Sequence, residues 1–271
     1  MKTIVTLTTI PSRLTDNYGE SGIKACISSL QNQTYTNYEI HFNIPYVHKH
    51  SQKEYVIPNW LEEFDKFKIF RTEDFGPATK LIPTVERSID PEDIIIVADD
   101  DLIYCPEMVQ AQVDNQTKWK EEIIGYDGMR SRNDDGTSAS RFGDSRDYYF
   151  TSQSFSSKVD ILQHYKTISY KRRYFEDDFF NFARDYYSWS DDLLLAGYFA
   201  FKKRDRIVET HPLIPRLETQ EEWSTKGGVQ TFPIVNHTQH ASYEGCNVFR
   251  QDRLDDNGSK LWKFIDYGYV K

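Results

Sequence analysis

Residues 94–101 read Ile-Ile-Ile-Val-Ala-Asp-Asp-Asp, an apolar run broken off by three carboxylates. The run has no polar alternation, which is the pattern of a strand covered on both faces, as in the parallel sheet of an α/β fold. Three adjacent aspartates at its end carry charge that an apolar interior does not accept without partners. They belong at the rim of the sheet, and in open α/β sheets ligands bind at the carboxyl ends of the strands. On an extended backbone Asp99 and Asp101 point the same way. Hard oxygen donors in that pose suit Mg²⁺ or Mn²⁺, with a diphosphate completing the shell. A solvated acidic turn after a core strand is the alternative, and the three residues alone do not decide between the two.

The elements around this run follow the order of an α/β protein. Residues 3–9 form a β-rich strand that Pro11-Ser12-Arg13 ends. Ile23, Cys26, Ile27 and Leu30 are spaced for a helix over 20–32. A second strand spans 38–44, closed by Pro45, a short helix covers 60–64, and a third strand covers 67–70. Asp74-Phe75-Gly76-Pro77 is turn chemistry, followed by a helix over 78–88 that Pro83 kinks or delays. Alternating strands and helices at this spacing indicate βαβ units and a mostly parallel central sheet flanked by helices.

Beyond the aspartates the pattern predicts a helix over 106–119 with Pro106 near its first turn, then a strand at 123–126. Residues 127–147 read as a long loop, 148–154 as a strand and 159–165 as a short helix. Helices are expected at 176–186 and 190–201, with a charged turn at 202–207. The last 55 or so residues give no clear pattern. With no repeat and no low-complexity linker, the expectation is one compact unit, divided into a half at 1–105 and a second half at 106–271.

Composition narrows the partners. A net charge of −9 argues against nucleic acid or an anionic membrane as the main partner. Aromatic residues make up 15% of the chain, enough to leave some for flat ligands beyond those used in core packing. Cys26, Cys105 and Cys246 are odd in number and widely spaced, which suggests a reducing compartment and no disulfide framework. The first ten residues read as a strand and not as a signal peptide, and no apolar run reaches the ~20 residues of a membrane span. The expectation is a cytoplasmic protein.

Four segments taken in order carry a resemblance. They are Thr8-Thr9-Ile10-Pro11-Ser12-Arg13, then Asp74-Phe75-Gly76-Pro77-Ala78-Thr79-Lys80, then Ala98-Asp99-Asp100-Asp101, then Trp189-Ser190-Asp191-Asp192. Over roughly residues 1–200 this order resembles the GT-A fold nucleotide-sugar glycosyltransferases, most of all the inverting, family-2-like enzymes. The resemblance implies a Rossmann-like α/β sheet, with 1–105 binding the nucleotide sugar and 106–271 the acceptor. It places Thr8, Thr9, Pro11 and Arg13 at the nucleotide, and an Arg fork suits phosphate or a base edge. It places Asp74 at the base and Lys80 at the phosphate or sugar. Asp101 is then the metal ligand, Asp99 serves the nucleoside or the metal, and Asp100 serves the ribose or sugar hydroxyls. A late histidine, His237 or His240, is implied as a further ligand for Mn²⁺ or Mg²⁺. Trp189 becomes a stacking platform for the acceptor sugar.

Within Asp191-Asp192 the resemblance makes Asp192 the base that takes the acceptor's hydroxyl proton and Asp191 an acceptor or sugar contact. The local chemistry also allows a purely structural reading, since Ser190 is a good N-cap and two acids favour a helix's first turn. The implied activity is metal-dependent, inverting transfer of a sugar from a nucleoside-diphosphate donor to a hydroxyl of a glycan or glycoconjugate. A UDP-sugar is the first choice of donor, with GDP- and dTDP-sugars as alternatives. The rival readings are a retaining transferase and a non-catalytic nucleotide- or sugar-binding protein of the same fold. A sugar nucleotidyltransferase is disfavoured because Thr8–Arg13 lacks the glycines of a phosphate loop.

Overall fold

The side chains of Ile94–Val97 alternate between two cores in the computed structural model. Ile94 and Ile96 pack in a cluster with Val5, Leu7, Ile27, Leu30 and Val109. Ile95 and Val97 belong to a second cluster with Ile82, Val85, Ile168 and Phe199. Both faces of the strand are covered, which is the physical reason its sequence carries no polar alternation. The structure describes residues 1–15, 23–132, 138–142, 156–185, 191–209 and 229–231.

The central sheet has eight strands: β1 (Thr3–Leu7), β2 (Glu39–Pro45), β3 (Phe67–Thr72), β4 (Ile94–Val97), β5 (Ile123–Gly125), β6 (Ser156–Val159), β7 (Ile168–Lys171) and β8 (Arg206–Glu209). Their spatial order is β6-β8-β5-β7-β4-β1-β2-β3. The β4-β1-β2-β3 block is parallel throughout, and β5 pairs parallel with β8. β7 runs antiparallel between β4 and β5, and β6 lies antiparallel on β8. The sheet is therefore mostly parallel, as the sequence implies.

Helices cover both faces. α1 (Pro11–Thr15), α2 (Ile23–Gln31) and α4 (Met108–Lys118) contribute to the first core through Leu14, Ile27, Leu30 and Val109. α3 (Ile82–Arg87), α5 (Phe179–Asp185) and α6 (Asp191–Phe201) close the second through Val85, Phe179, Leu194 and Phe199. Among the described residues no helix is long and apolar enough to cross a membrane.

Connectivity fixes where a ligand can sit. The chain steps from β1 to β2 to β3 on one side, then returns to lay β4 on the other side of β1. Such a reversal leaves a crevice outside the carboxyl ends of the two strands it separates. Because β7 is antiparallel, its first residue, Ile168, lies opposite Val97 and Gly125, the last residues of β4 and β5. The segment just before β7 thus reaches the same rim as Thr8, Asp74 and Asp99.

Several local expectations are corrected. The helix expected at 159–165 is instead the end of β6, a short strand Ile161–Leu162 and one 3-10 turn, His164–Lys166. Leu162 and Ile161 pair with Gly128 and Met129 of a strand, Gly128–Arg132, inside what reads as a loop; Ser138–Phe142 pairs on its other edge. The charged turn expected at 202–207 ends in β8, where Ile207 and Val208 are buried beside β5 and packing overrides the local composition. The helix expected at 78–88 divides into a 3-10 turn, Gly76–Lys80, and α3, with Pro83 in the helix's first turn. In the poorly patterned tail, Val229–Thr231 pairs with a short strand, Leu102–Tyr104. The strand expected at 148–154 lies outside the described residues.

Candidate active site

The carboxyl ends of β1 and β4 meet through their side chains. Thr9, two residues past β1, donates its hydroxyl to Oδ2 of Asp100 at 2.5 Å. Arg13, on α1, donates to Oδ1 of Asp100 through Nη1 and to Oδ2 of Asp101 through Nη2, the latter at 3.2 Å. Both oxygens of the buried Asp100 are thereby taken by the chain itself. Thr8 turns the other way and donates to the carbonyl of Asn43 on β2 at 2.7 Å. The strand has ended by Val97, so the alternating geometry expected of Asp99 and Asp101 does not hold. Asp100 and Asp101 share Arg13, and Asp99 faces Lys80.

The turn after β3 is built around Asp74. Its Oδ2 accepts the Lys49 N–H at 2.7 Å, and its Oδ1 accepts the Gly76 N–H at 2.7 Å and the Thr79 hydroxyl at 3.3 Å. Gly76 has φ 60°, a left-handed conformation that glycine adopts without strain. The turn ends at Lys80, whose carbonyl accepts from the Thr6 hydroxyl and from Nδ2 of Asn43, the latter at 3.1 Å. The backbone that carries Lys80 is therefore pinned from below by β1 and β2.

Lys80 bridges the two acidic segments. Its buried ammonium lies 2.5 Å from Oδ1 of Asp99 and 2.8 Å from Oδ2 of Asp191, at the start of α6. Burial works to lower the Lys80 pKa, but Asp191 and then Asp99 outweigh it, and the group is held above its ordinary value. Burial likewise works to raise the Asp191 carboxyl, while Lys80 and then His164 hold it low. His164, in the turn before β7, places Nδ1 2.6 Å from Oδ1 of Asp192 and 3.2 Å from Oδ2 of Asp191.

Sequence reasoning missed His164 and Tyr104. The Tyr104 hydroxyl accepts the Asp99 N–H at 2.7 Å and so orients the backbone of the acidic turn. Neither residue carries a local signal: each reaches the rim on a short strand or turn that forms only through pairing in the assembled fold. Asp127, just past β5, forms a further buried ion pair at this rim with Lys166, at 3.1 Å. Trp189, His237 and His240 lie outside the described residues.

No family model matches the sequence, and no curated protein matches it. Solved structures match it in shape. GalNAc-T7, solved with UDP, GalNAc and Mn²⁺, superposes with a TM-score of 0.50 at 12% identity, over 76% of this chain and 42% of that one. The fold is GT-A. Also similar in shape are 4-diphosphocytidyl-2C-methyl-D-erythritol synthase from Anaerococcus prevotii DSM 20548 (TM-score 0.48, 14% identity, 82% of this chain and 92% of that one) and S. aureus TarS residues 1–349 with UDP (0.47, 14%, 76% and 57%). The chain spans less than half the length of the GalNAc-T7 chain.

On this GT-A sheet the charge balance at the rim favours a cation. Asp99, Asp100, Asp101, Asp191 and Asp192 gather about Arg13 and Lys80, so carboxylates outnumber permanent cations. The excess is felt at Asp101. Burial, followed by Asp100 and Asp99, pushes its carboxyl up to about 7 despite the neighbouring Arg13. Asp101 is one-fifth exposed and Asp99 one-quarter, so both can reach a ligand in the crevice, and their oxygens suit a hard divalent ion. The ligand atoms of His164, Asp191 and Asp192 also lie within 4.8 Å of one another. A metal there would have to displace both the Lys80 ammonium and the proton that Nδ1 shares with Asp192, and one at Asp99 would likewise meet the Lys80 ammonium.

Proposed function

We propose that this chain is a glycosyltransferase that moves a sugar from a nucleoside-diphosphate donor, a UDP-sugar first, to a hydroxyl of a glycan or glycoconjugate. The reaction proceeds with inversion and depends on Mn²⁺ or Mg²⁺. The observation that carries the reading is the Asp99–Lys80–Asp191 bridge. It joins the aspartates after β4, suited to a metal and diphosphate, to the acidic pair on α6, suited to proton transfer, across the crevice of a GT-A sheet. The UDP, GalNAc and Mn²⁺ named with GalNAc-T7 support the choice of ligands.

In this reading residues 1–105 hold the donor and 106–271 the acceptor. Asp101 and Asp99 would hold the metal, joined by His237 or His240, and an ion bound there would supply positive charge for the departing diphosphate. Arg13 and Lys80 offer positive charge to the same phosphates, with Thr8, Thr9 and Pro11 shaping the nucleotide pocket. Asp100 keeps Arg13 in place. Asp74, whose carboxylate organises its own turn, presents that turn to the base. On the acceptor side Trp189 stacks on the sugar, and Asp191 contacts it while bound to Lys80. Asp192 takes the proton of the attacking hydroxyl, which displaces the diphosphate in one step without a covalent enzyme intermediate.

The test is nucleoside-diphosphate release from a panel of UDP-, GDP- and dTDP-sugars with a mixed glycan acceptor, with Mn²⁺ or with chelator. Release that needs both metal and acceptor, and that Asp101→Ala abolishes, is the expected result. Full activity in Asp101→Ala would sink the metal assignment. A product with the donor's anomeric configuration retained would overturn inversion.

A further inference from the structure

His164 is buried, with 2% of its side chain exposed, yet it belongs to none of the segments that carry the resemblance. Its contacts are specific. Nδ1 lies 2.6 Å from Oδ1 of Asp192, its own backbone N–H donates to the same oxygen at 2.9 Å, and Nε2 lies 2.7 Å from the Tyr170 hydroxyl. A carboxylate only accepts hydrogen bonds, so Nδ1 must carry a proton whether the ring is neutral or charged. Burial, ahead of the charges on Asp191 and Asp192, raises the Tyr170 hydroxyl well above its ordinary value, so that group keeps its proton. In the neutral ring Tyr170 therefore donates to Nε2, which selects the tautomer that faces Asp192. Tyr170 is itself fixed, stacked on Phe199 with ring centroids 5.5 Å apart and tilted on Phe175 at 5.4 Å.

We infer that His164 is a positioning residue for the base. Two donors from one residue lock Oδ1 of Asp192, leave Oδ2 as the atom that receives the acceptor's proton, and hold it aimed into the crevice. Asp192 is the less enclosed member of the acidic pair, with 27% of its side chain exposed against 10% for Asp191, which Lys80 and His164 hold. Among the described residues, the charged and titratable groups that face this carboxylate are His164, Asp191 and Lys80, with the Tyr170 hydroxyl behind His164. The inference rests on the transferase reading for its kinetic consequence, but the tautomer is a property of the resting protein.

Two measurements separate the two ideas. Nitrogen-15 spectra of the His164 ring should show a protonated Nδ1, and a pyridine-type Nε2 when the ring is neutral. Asp192→Asn and Tyr170→Phe should each weaken that preference. A neutral ring protonated at Nε2 overturns the inference whatever the activity. In turnover, His164→Ala should lower kcat about 10- to 100-fold with the donor KM unchanged, the range for one hydrogen bond to a charged group. His164→Asn, whose amide can replace Nδ1–H, should recover most of the rate. Loss of melting temperature in step with kcat, and no recovery in His164→Asn, would show a merely structural histidine. If no donor is turned over but the ring is Nδ1-protonated, the transferase reading fails while the positioning of Asp192 stands.

Discussion

Single residues set the two charges that matter most at the rim. Asp191 and Asp192 are neighbours in sequence with different surroundings, and this separates their proposed roles. Asp191 is buried against Lys80, and its carboxyl is held low; Asp192 is more open and bound on Oδ1 by His164. Asp192→Asn should therefore cost about 10²- to 10⁴-fold in kcat, the usual contribution of a general base. Asp191→Asn acts differently. It takes one of two carboxylates from the buried Lys80 ammonium and leaves Asp99 as the other, so its main loss should be in folding stability, measured as a urea midpoint. A further residue acts far from the crevice. Glu39, at the opposite end of β2, is partly buried, which would raise its carboxyl, yet hydrogen bonds from Lys68 and His41 hold it down at about 2 against an ordinary 4.5. The unfolded chain thus takes up this proton at higher pH than the folded one. Glu39's contribution to stability is complete above about 4.5 and is lost as the pH falls through about 2. Glu39→Gln should flatten the fall in urea midpoint over that window; an unchanged slope would show that the pair with Lys68 has no part in acid stability.

Elements differ in how far their own residues specify them. Ile94–Val97 and the Ile23, Cys26, Ile27, Leu30 stripe could be read from the sequence because burial on two faces, or on one helical face, leaves a period in the residues themselves. β7 and β8 could not: Ile-Ser-Tyr-Lys and Arg-Ile-Val-Glu are each four residues long and become strands only beside β4 and β5. The strand at Gly128 is the same case, and it was hidden in a polar stretch. Its glycine is required by packing. A Cβ at Gly128 would lie 2.7 Å from the Ile161 carbonyl oxygen, 2.9 Å from Val159 and 3.0 Å from Val208. Because the first of these is backbone, relief means moving the Ile161–Leu162 strand, which leads directly into His164. Gly128→Ala should destabilise by about 1–3 kcal/mol, the range for overpacking. It should also lower turnover beyond the loss of folded protein, since the turn that holds Asp192 shifts with it. A variant as stable as the wild type would show that the strand yields easily.

At the scale of the whole molecule the site is an assembly of distant segments. Arg13 comes from the link after β1, Lys80 from the turn after β3, Asp99 and Asp101 from the end of β4, and Asp192 from α6. The sheet brings them to one rim because four parallel strands end there and β7 begins there. Those motifs, and the order in which they occur, were legible in the sequence; how they are shared among cations was not, because Arg13 and Lys80 find their partners only after the strands align. A donor bound across β1 and β4 would touch elements that pack in both cores, so it should stabilise the fold as a unit. Ligand at 100 times its dissociation constant adds about 2.7 kcal/mol, which is roughly 5 °C or more for a chain of this size. UDP with Mn²⁺ should therefore raise the melting temperature by several degrees, and UDP with chelator by less. Asp101→Asn should abolish the metal's increment but keep much of the shift from UDP alone, because Arg13 and Lys80 remain to meet the phosphates. Equal shifts with and without Mn²⁺ in both proteins would mean that the aspartates after β4 hold the fold's own cations and no metal, and catalysis would then have to rely on Arg13 and Lys80 for the charge of the leaving diphosphate.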